Sequence, residues 1–113
     1  MPQQSPLEVL IVEDDPGVLY TFSRVLERTF NVTPFLYTAR TGPEHLPKEH
    51  FDWAIIDGLN GKFPDVAEKL RPTCDKMLIL TADQDNEQQA IDLGYDCKLK
   101  PIEPAQLIEY LRS

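Results

Sequence analysis

Four short, uninterrupted apolar runs recur along the chain at fairly regular intervals: Val9-Leu10-Ile11-Val12, Phe35-Leu36-Tyr37, Trp53-Ala54-Ile55-Ile56 and Met77-Leu78-Ile79-Leu80. A weaker fifth follows at Cys97-Lys98-Leu99. Three of these are continuous rather than alternating, so both faces of each strand must be covered, as in a parallel sheet between helical layers. Segments of helical period lie between them. Val18, Leu19, Phe22, Val25, Leu26 and Phe30 form one apolar stripe, with Asp15 placed to cap it and Pro16 as its first helical residue. Phe63, Val66, Ala67 and Leu70 form a second before Pro72, and Leu107, Ile108 and Leu111 a third after Pro104.

Two other helical segments are weak. Pro43 follows Thr41-Gly42, but Pro47 interrupts any helix there within about one turn. Asp85 to Leu93 offers only Ala90, Ile91 and Leu93 as apolar anchors, ahead of a capping Gly94. The pattern is five β-α units, and right-handed crossovers make it an α/β fold with an open, doubly wound, five-stranded parallel sheet.

A chain of 113 residues buries roughly two-thirds of its unfolded surface, enough for one core. With 11 basic against 19 acidic side chains and a net charge of −8, it lacks the cationic surface that nucleic acid or an anionic membrane requires. Its apolar runs fall far below the ~20 residues that span a bilayer. Met1 to Leu7 has neither the basic nor the apolar part of a secretory leader. The expectation is a cytoplasmic protein. Cys74 and Cys97 have no metal-ligand spacing and read as reduced, partly buried thiols.

In an open α/β sheet the functional crevice lies beyond the carboxyl ends of the strands. After the first run come Glu13, Asp14 and Asp15; after the third, Asp57; after the fourth, Thr81; after the fifth, Lys100 and Pro101. Carboxylates held at close range repel one another, and a hard divalent cation with oxygen ligands relieves the repulsion. Mg²⁺ takes one or two protein carboxylates, several waters and a phosphate, so the set suits phosphoryl transfer. An Asp at a strand end can accept a phosphoryl group covalently. Thr81 could hydrogen-bond that group, and Lys100 could offset its charge.

Taken in order, Val9-Leu10-Ile11-Val12-Glu13-Asp14-Asp15, Trp53-Ala54-Ile55-Ile56-Asp57, Leu78-Ile79-Leu80-Thr81-Ala82 and Leu99-Lys100-Pro101 resemble the receiver domain of two-component response regulators. The resemblance covers essentially the whole chain. It implies a flavodoxin-like receiver fold over residues 1–113, with no effector or output domain. It implies Asp57 as the phosphoacceptor, Asp14 as a direct Mg²⁺ ligand and Glu13 acting mostly through water. The backbone carbonyl of Leu59 would complete the protein ligands beside Asp57. Thr81 would be the switch hydroxyl, Ala82 the small neighbour that leaves room for phosphate, and Lys100 the phosphate-binding lysine before a cis Lys100-Pro101 bond. The implied activity is transfer from a phosphohistidine donor to Asp57 and slow self-hydrolysis, not catalysis on an external substrate. The implied partners are a histidine kinase or histidine phosphotransfer protein and a downstream protein target.

The chain departs from that family in its second half. The interval from Asp14 to Asp57 is ordinary, whereas those from Asp57 to Thr81 and from Thr81 to Lys100 are each several residues short. The shortening is expected in the third and fourth helices and their loops. Gly58-Leu59-Asn60-Gly61 lacks the proline common four residues after the phosphoacceptor. Three residues before the lysine, where the family carries Tyr or Phe, stands Cys97, and Tyr95 is expected on the opposite face of that strand. The expectation is retained chemistry with an altered readout.

Each residue also has an ordinary reading. Asp15 fits a helix cap better than a metal ligand. Glu13 and Asp14 could be solvated loop acids, Asp57-Gly58 a turn, Thr81 a cap and Lys100 a surface lysine; their value lies in the ordered set. His45 and His50 read as surface residues without partners, Trp53 as packing in the sheet, and Tyr110 as a last-helix residue without a catalytic role. Two rivals stand beside the receiver reading. One is a phosphorylation-independent interaction domain on the same scaffold. The other is a small Mg²⁺-dependent phosphohydrolase of the haloacid-dehalogenase type, which would need a second Asp where this chain has Leu59.

Overall fold

The computed structural model describes residues 6–113, so most of the Met1 to Leu7 segment lies outside the described residues. The chain runs β1 (Glu8–Glu13), α1 (Pro16–Leu26), β2 (Asn31–Leu36), β3 (Phe51–Asp57), α2 (Phe63–Leu70), β4 (Cys74–Thr81), α3 (Gln84–Asp92), β5 (Asp96–Leu99) and α4 (Pro104–Arg112). The five strands form one parallel sheet in the order β2-β1-β3-β4-β5, as the continuous apolar runs require.

Alternate residues of each run face opposite layers. Val9, Ile11, Trp53, Ile55, Leu78 and Leu80 pack with Leu19 and Leu26 of α1 and Leu107 and Leu111 of α4. Leu10, Val12, Ala54, Ile56 and Ile79 pack with Phe63, Val66, Ala67 and Leu70 of α2, with Leu46 and with Ala90 of α3. Trp53 packs in the sheet as expected; its Nε1 donates to the Leu111 carbonyl at 3.0 Å, which occupies an otherwise free acceptor near the end of α4. The edge strands β2 and β5 are half exposed, and Pro34 sits in β2, where a missing ladder donor is tolerated.

Local signals set the helix ends. The Asp15 carboxylate accepts from the Gly17 and Val18 amides at 2.8 and 3.1 Å, so Asp15 is a cap and Pro16 opens the helix. Gly94 adopts φ +86°, with the Gly94 amide on the Ile91 carbonyl and the Tyr95 amide on the Ala90 carbonyl, a Schellman end to α3.

The structure corrects three expectations. The second β-α unit does not materialise as a helix: between β2 and β3 there is only a 3₁₀ turn at Pro43–His45. Gly42 takes φ +59° ahead of Pro43, the chain is extended at Leu46, and the buried Leu46 side chain fills the core where a helix would lie. Helix is therefore lost in the first half as well as the second, where α2 spans 8 residues and α3 spans 9. Tyr95 is not opposite Cys97: both pack against the α2 side of the core, because two residues along an extended chain return to the same face. His50 is on the surface, as expected, but not alone. Its Nε2 lies 2.9 Å from Asp75 Oδ1, because the start of β3 pairs with the start of β4.

Leu78 is fully buried at the middle of the sheet, whereas Ile91 on α3 is 56% exposed. Leu78→Ala is expected to lose about 2–5 kcal/mol in urea unfolding, and Ile91→Ala to stay within about 0.5 kcal/mol of wild type. The Asp75 hydrogen bond raises the His50 pKa. A raised imidazole pKa contributes stability below the unfolded value and loses it as pH rises through the folded value. Asp75→Asn is therefore expected to lower the His50 midpoint in an NMR pH series.

Candidate functional site

The strand order places β1 beside β3, which brings Glu13 and Asp57 together at the carboxyl end of the sheet. Lys100 follows β5 beyond β4, and its backbone amide extends the ladder by donating to the Thr81 carbonyl at 2.8 Å. Its side chain reaches back over the end of β4. The ammonium donates to Asp57 Oδ1 at 2.7 Å and to Glu13 Oε1 at 3.1 Å. The Lys100-Pro101 bond is cis, as the resemblance implied.

Glu13 is buried, and its second oxygen accepts from the Asp14 and Asp15 amides at 2.9 and 3.1 Å. Burial, reinforced by the neighbouring Asp14 and Asp57, pushes the Glu13 carboxyl above the usual range against the pull of the Asp15 amide and Lys100. For Lys100, burial acts downward, but the hydrogen bond and charge of Asp57, with those of Glu13, outweigh it and hold the ammonium above its ordinary pKa. The remaining Asp57 oxygen accepts from the Leu59 amide at 2.9 Å.

The loop after Asp57 turns through left-handed conformations at Leu59, Asn60 and Gly61, with φ of +53°, +53° and +86°. A left-handed Leu costs about 1–2 kcal/mol, and the burial of Leu59 in the core holds it there. The Leu59 carbonyl accepts from the Lys62 amide at 3.1 Å, leaving its second lone pair for another partner.

One carboxylate oxygen from each of Glu13, Asp14 and Asp57 lies within 4.8 Å of the others. Glu13 and Asp57 share the Lys100 ammonium and Asp14 adds a third carboxylate, which leaves a surplus of negative charge that a divalent cation would balance. The donors fit Mg²⁺: all are hard oxygens, Asp14 is exposed to solvent, and Glu13 already uses both oxygens, as suits a ligand acting through water.

On the other flank Thr81 is buried at the end of β4. Its hydroxyl accepts from the Asp83 amide at 3.1 Å and from Asn86 Nδ2 at 3.3 Å. Asp57, Gly58, Thr81, Ala82, Asn86 and Lys100 line an open cleft of about 450 Å³. The sequence-predicted residues are thus gathered at one end of the sheet, and Ala82 borders the same cleft. Asn86 was missed. The signal was its position four residues before Ala90, on the buried face of α3, where a polar side chain needs a polar partner.

An open, doubly wound sheet with acids at the ends of its first and third strands, a hydroxyl after the fourth and a lysine after the fifth defines an α/β fold of the flavodoxin-like class with a strand-end acid and lysine site. No protein-family model and no curated protein sequence matches the chain. Solved structures do. A CheY-like response regulator receiver domain protein from Methanospirillum hungatei shares 27% identity with a TM-score of 0.71, over 96% of this chain and 92% of that one. A response regulator from Thermotoga maritima shares 23% identity with a TM-score of 0.72, over 96% of each. The BeF₃-activated DrrB receiver domain shares 21% identity with a TM-score of 0.71, over 95% of each. The chain is similar to CheY-like response regulator receiver domains over nearly its whole length and has their fold. Among the described residues, no helix is long and apolar enough to cross a membrane.

Gly58 has an ordinary φ and is required by space. A Cβ there would meet Asn86 Nδ2 at 2.6 Å and Thr81 Oγ1 at 2.7 Å. Gly58→Ala is expected to push Asn86 off Thr81 and lose about 1–3 kcal/mol, read by denaturant unfolding and by the Thr81 amide shift.

Proposed function

We propose that this receiver accepts a phosphoryl group from a phosphohistidine donor onto Asp57 with Mg²⁺, and thereby switches its affinity for a protein partner in the cytoplasm. The observation that carries the reading is the 2.7 Å contact of Lys100 with Asp57, inside a cluster of three carboxylates drawn from two strands. An isolated surface acid needs no buried ammonium; an acid that is to become a phosphate does.

The chemistry is a displacement at phosphorus. An Asp57 carboxylate oxygen forms the new P–O bond, the P–N bond to the donor imidazole breaks, and the imidazole nitrogen leaves with the electron pair. Glu13, Asp14, Asp57 and the Leu59 carbonyl are the groups that would hold Mg²⁺, which supplies charge neutralisation on the transferring oxygens. Lys100 keeps its proton through the reaction and offsets charge on the phosphoryl group. The Thr81 hydroxyl accepts from Asp83 and Asn86, and its proton is what it offers a phosphoryl oxygen once the side chain turns Oγ1 toward Asp57. Hydrolysis of phospho-Asp57 is the only further reaction assigned to the chain. The upstream partner is a histidine kinase or a histidine phosphotransfer protein, which presents the phosphoimidazole.

A second reading, a fixed interaction surface without phosphorylation, draws on the apolar side chains of Ile91, Leu93 and Leu99, which are 56%, 51% and 36% exposed beside the β5 edge. One experiment separates the two. Titration with BeF₃⁻ and Mg²⁺, followed by amide NMR, is expected to shift Gly58 and Thr81 in wild type and to leave Asp57→Asn unmoved. Acetyl phosphate with Mg²⁺ is expected to add one phosphoryl mass to wild type only. No response in wild type would overturn the phosphoacceptor reading and leave the fixed surface.

A further inference from the structure

We propose that Asn86 is the positioning residue that carries the state of Thr81 into α3, in place of the aromatic side chain that the fifth strand lacks. The inference rests on the phosphoacceptor reading of Asp57 and adds how that site is read out.

The sequence gives α3 three apolar candidates, yet only Ala90 is buried; Ile91 and Leu93 point outward, at 56% and 51% exposure. The other buried position on the helix is polar. Asn86 is 9% exposed, and its amide nitrogen donates to Thr81 Oγ1. The same nitrogen lies against the backbone of Gly58, the residue after Asp57. At the start of α3, Asp83 caps the helix with its carboxylate and donates its own amide to the same Thr81 hydroxyl. The amino end of α3 is therefore fastened to the domain by two hydrogen bonds that converge on one oxygen.

The carboxyl end is fastened differently. The Schellman turn ties Ala90 to Tyr95, whose ring packs edge-on against Phe63 and whose hydroxyl bonds Glu68 and Arg71 of α2. Tyr95 thus holds the far end of α3 to α2 and lies away from Thr81, and Cys97 presents no ring. The contact that links the Thr81 hydroxyl to a side chain of α3 is Asn86.

A hydroxyl that turns to give its proton to a phosphoryl oxygen on Asp57 moves its acceptor positions with it. Both bonds from α3 then lengthen, and a helix with one buried apolar side chain has little else to hold its first turns. Phosphorylation would accordingly release the amino end of α3 and alter the surface bearing Ile91 and Leu93. Asn86 makes no hydrogen bond to the acid cluster or Lys100 among the described residues, and the Gly58 shift reads occupancy of Asp57 in each variant separately from the response of α3.

The test uses the full chain as wild type, Asn86→Ala and Thr81→Ala, with amide shifts and hydrogen exchange read with and without BeF₃⁻ and Mg²⁺. In wild type, saturation is expected to speed exchange of the Glu87, Gln88 and Ala90 amides, which close the first turns of α3, about fivefold or more, the lower range of site-to-site coupling. In Asn86→Ala the Gly58 amide still shifts, the α3 amides exchange fast before any addition, and the further change falls below about twofold. Should Asn86→Ala not fold, Thr81→Ala, which removes the shared acceptor and keeps Asn86, carries the same expectation for α3. A Gly58 shift without any change in α3 of wild type would overturn the inference, as would a full α3 response in Asn86→Ala. No Gly58 shift in wild type would overturn the phosphoacceptor reading first, and this inference with it.

Discussion

The ammonium of Lys100 between Asp57 and Glu13 is the interaction on which the rest of the site depends. Two ionised carboxylates at the ends of adjacent parallel strands repel each other, and a cation between them offsets that repulsion. At an effective dielectric near 20, unit charges about 4 Å apart interact by roughly 4 kcal/mol, comparable to a large part of a domain's net stability. The strand order is what permits the arrangement. β1 and β3 are neighbours, and Lys100 spans β4 because its own amide continues the ladder from Thr81. The acidic excess of the chain thereby acquires a location where it has a counter-ion and a use.

Around that centre the domain is economical. The crossover from β2 to β3 has a 3₁₀ turn and one buried leucine instead of a helix, and α2 and α3 are short. The α2 side of the core survives because Phe63, Val66, Ala67 and Leu70 present a full apolar face within 8 residues, and because Leu46 and Phe51 fill the space beside them. The other side keeps the 11-residue α1 and the Trp53 contact with α4. The thinly anchored element is α3, beside Thr81, with Ala90 as its one buried apolar side chain. A helix with few apolar anchors has low local opening energy, which is where moving elements are drawn from.

The parts of this structure that were legible in the sequence are those fixed by local period or by topology. Continuous apolar runs dictate a buried parallel sheet, Asp15 before Pro16 dictates a cap, and the rule that crevices lie beyond strand ends singles out Glu13, Asp14, Asp57, Thr81 and Lys100. What was not legible depends on contacts between distant segments. The partner of His50 is Asp75, chosen by strand register rather than by spacing along a helix. Asn86 reads as a solvated residue of a polar helix until the turn after Asp57 is seen against it. Tyr95, expected on the opposite face from Cys97, shares its face and hydrogen-bonds to Glu68 and Arg71, contacts that no spacing along the chain announces.

The polar character of α3 then follows from what a switch of this kind requires. Two hydrogen bonds on the Thr81 hydroxyl are worth about 1 kcal/mol each net of water. Their loss can shift the balance between docked and released α3 by about 2 kcal/mol, or roughly thirtyfold. A helix fixed by several buried leucines would lie many kcal/mol on the docked side, and a thirtyfold shift would leave it docked. A helix held by Ala90, one asparagine and a C-terminal turn lies close enough to balance for the same shift to change which state dominates. With Ile91 and Leu93 turned outward, α3 has the weak anchoring that the proposed coupling through Thr81 needs.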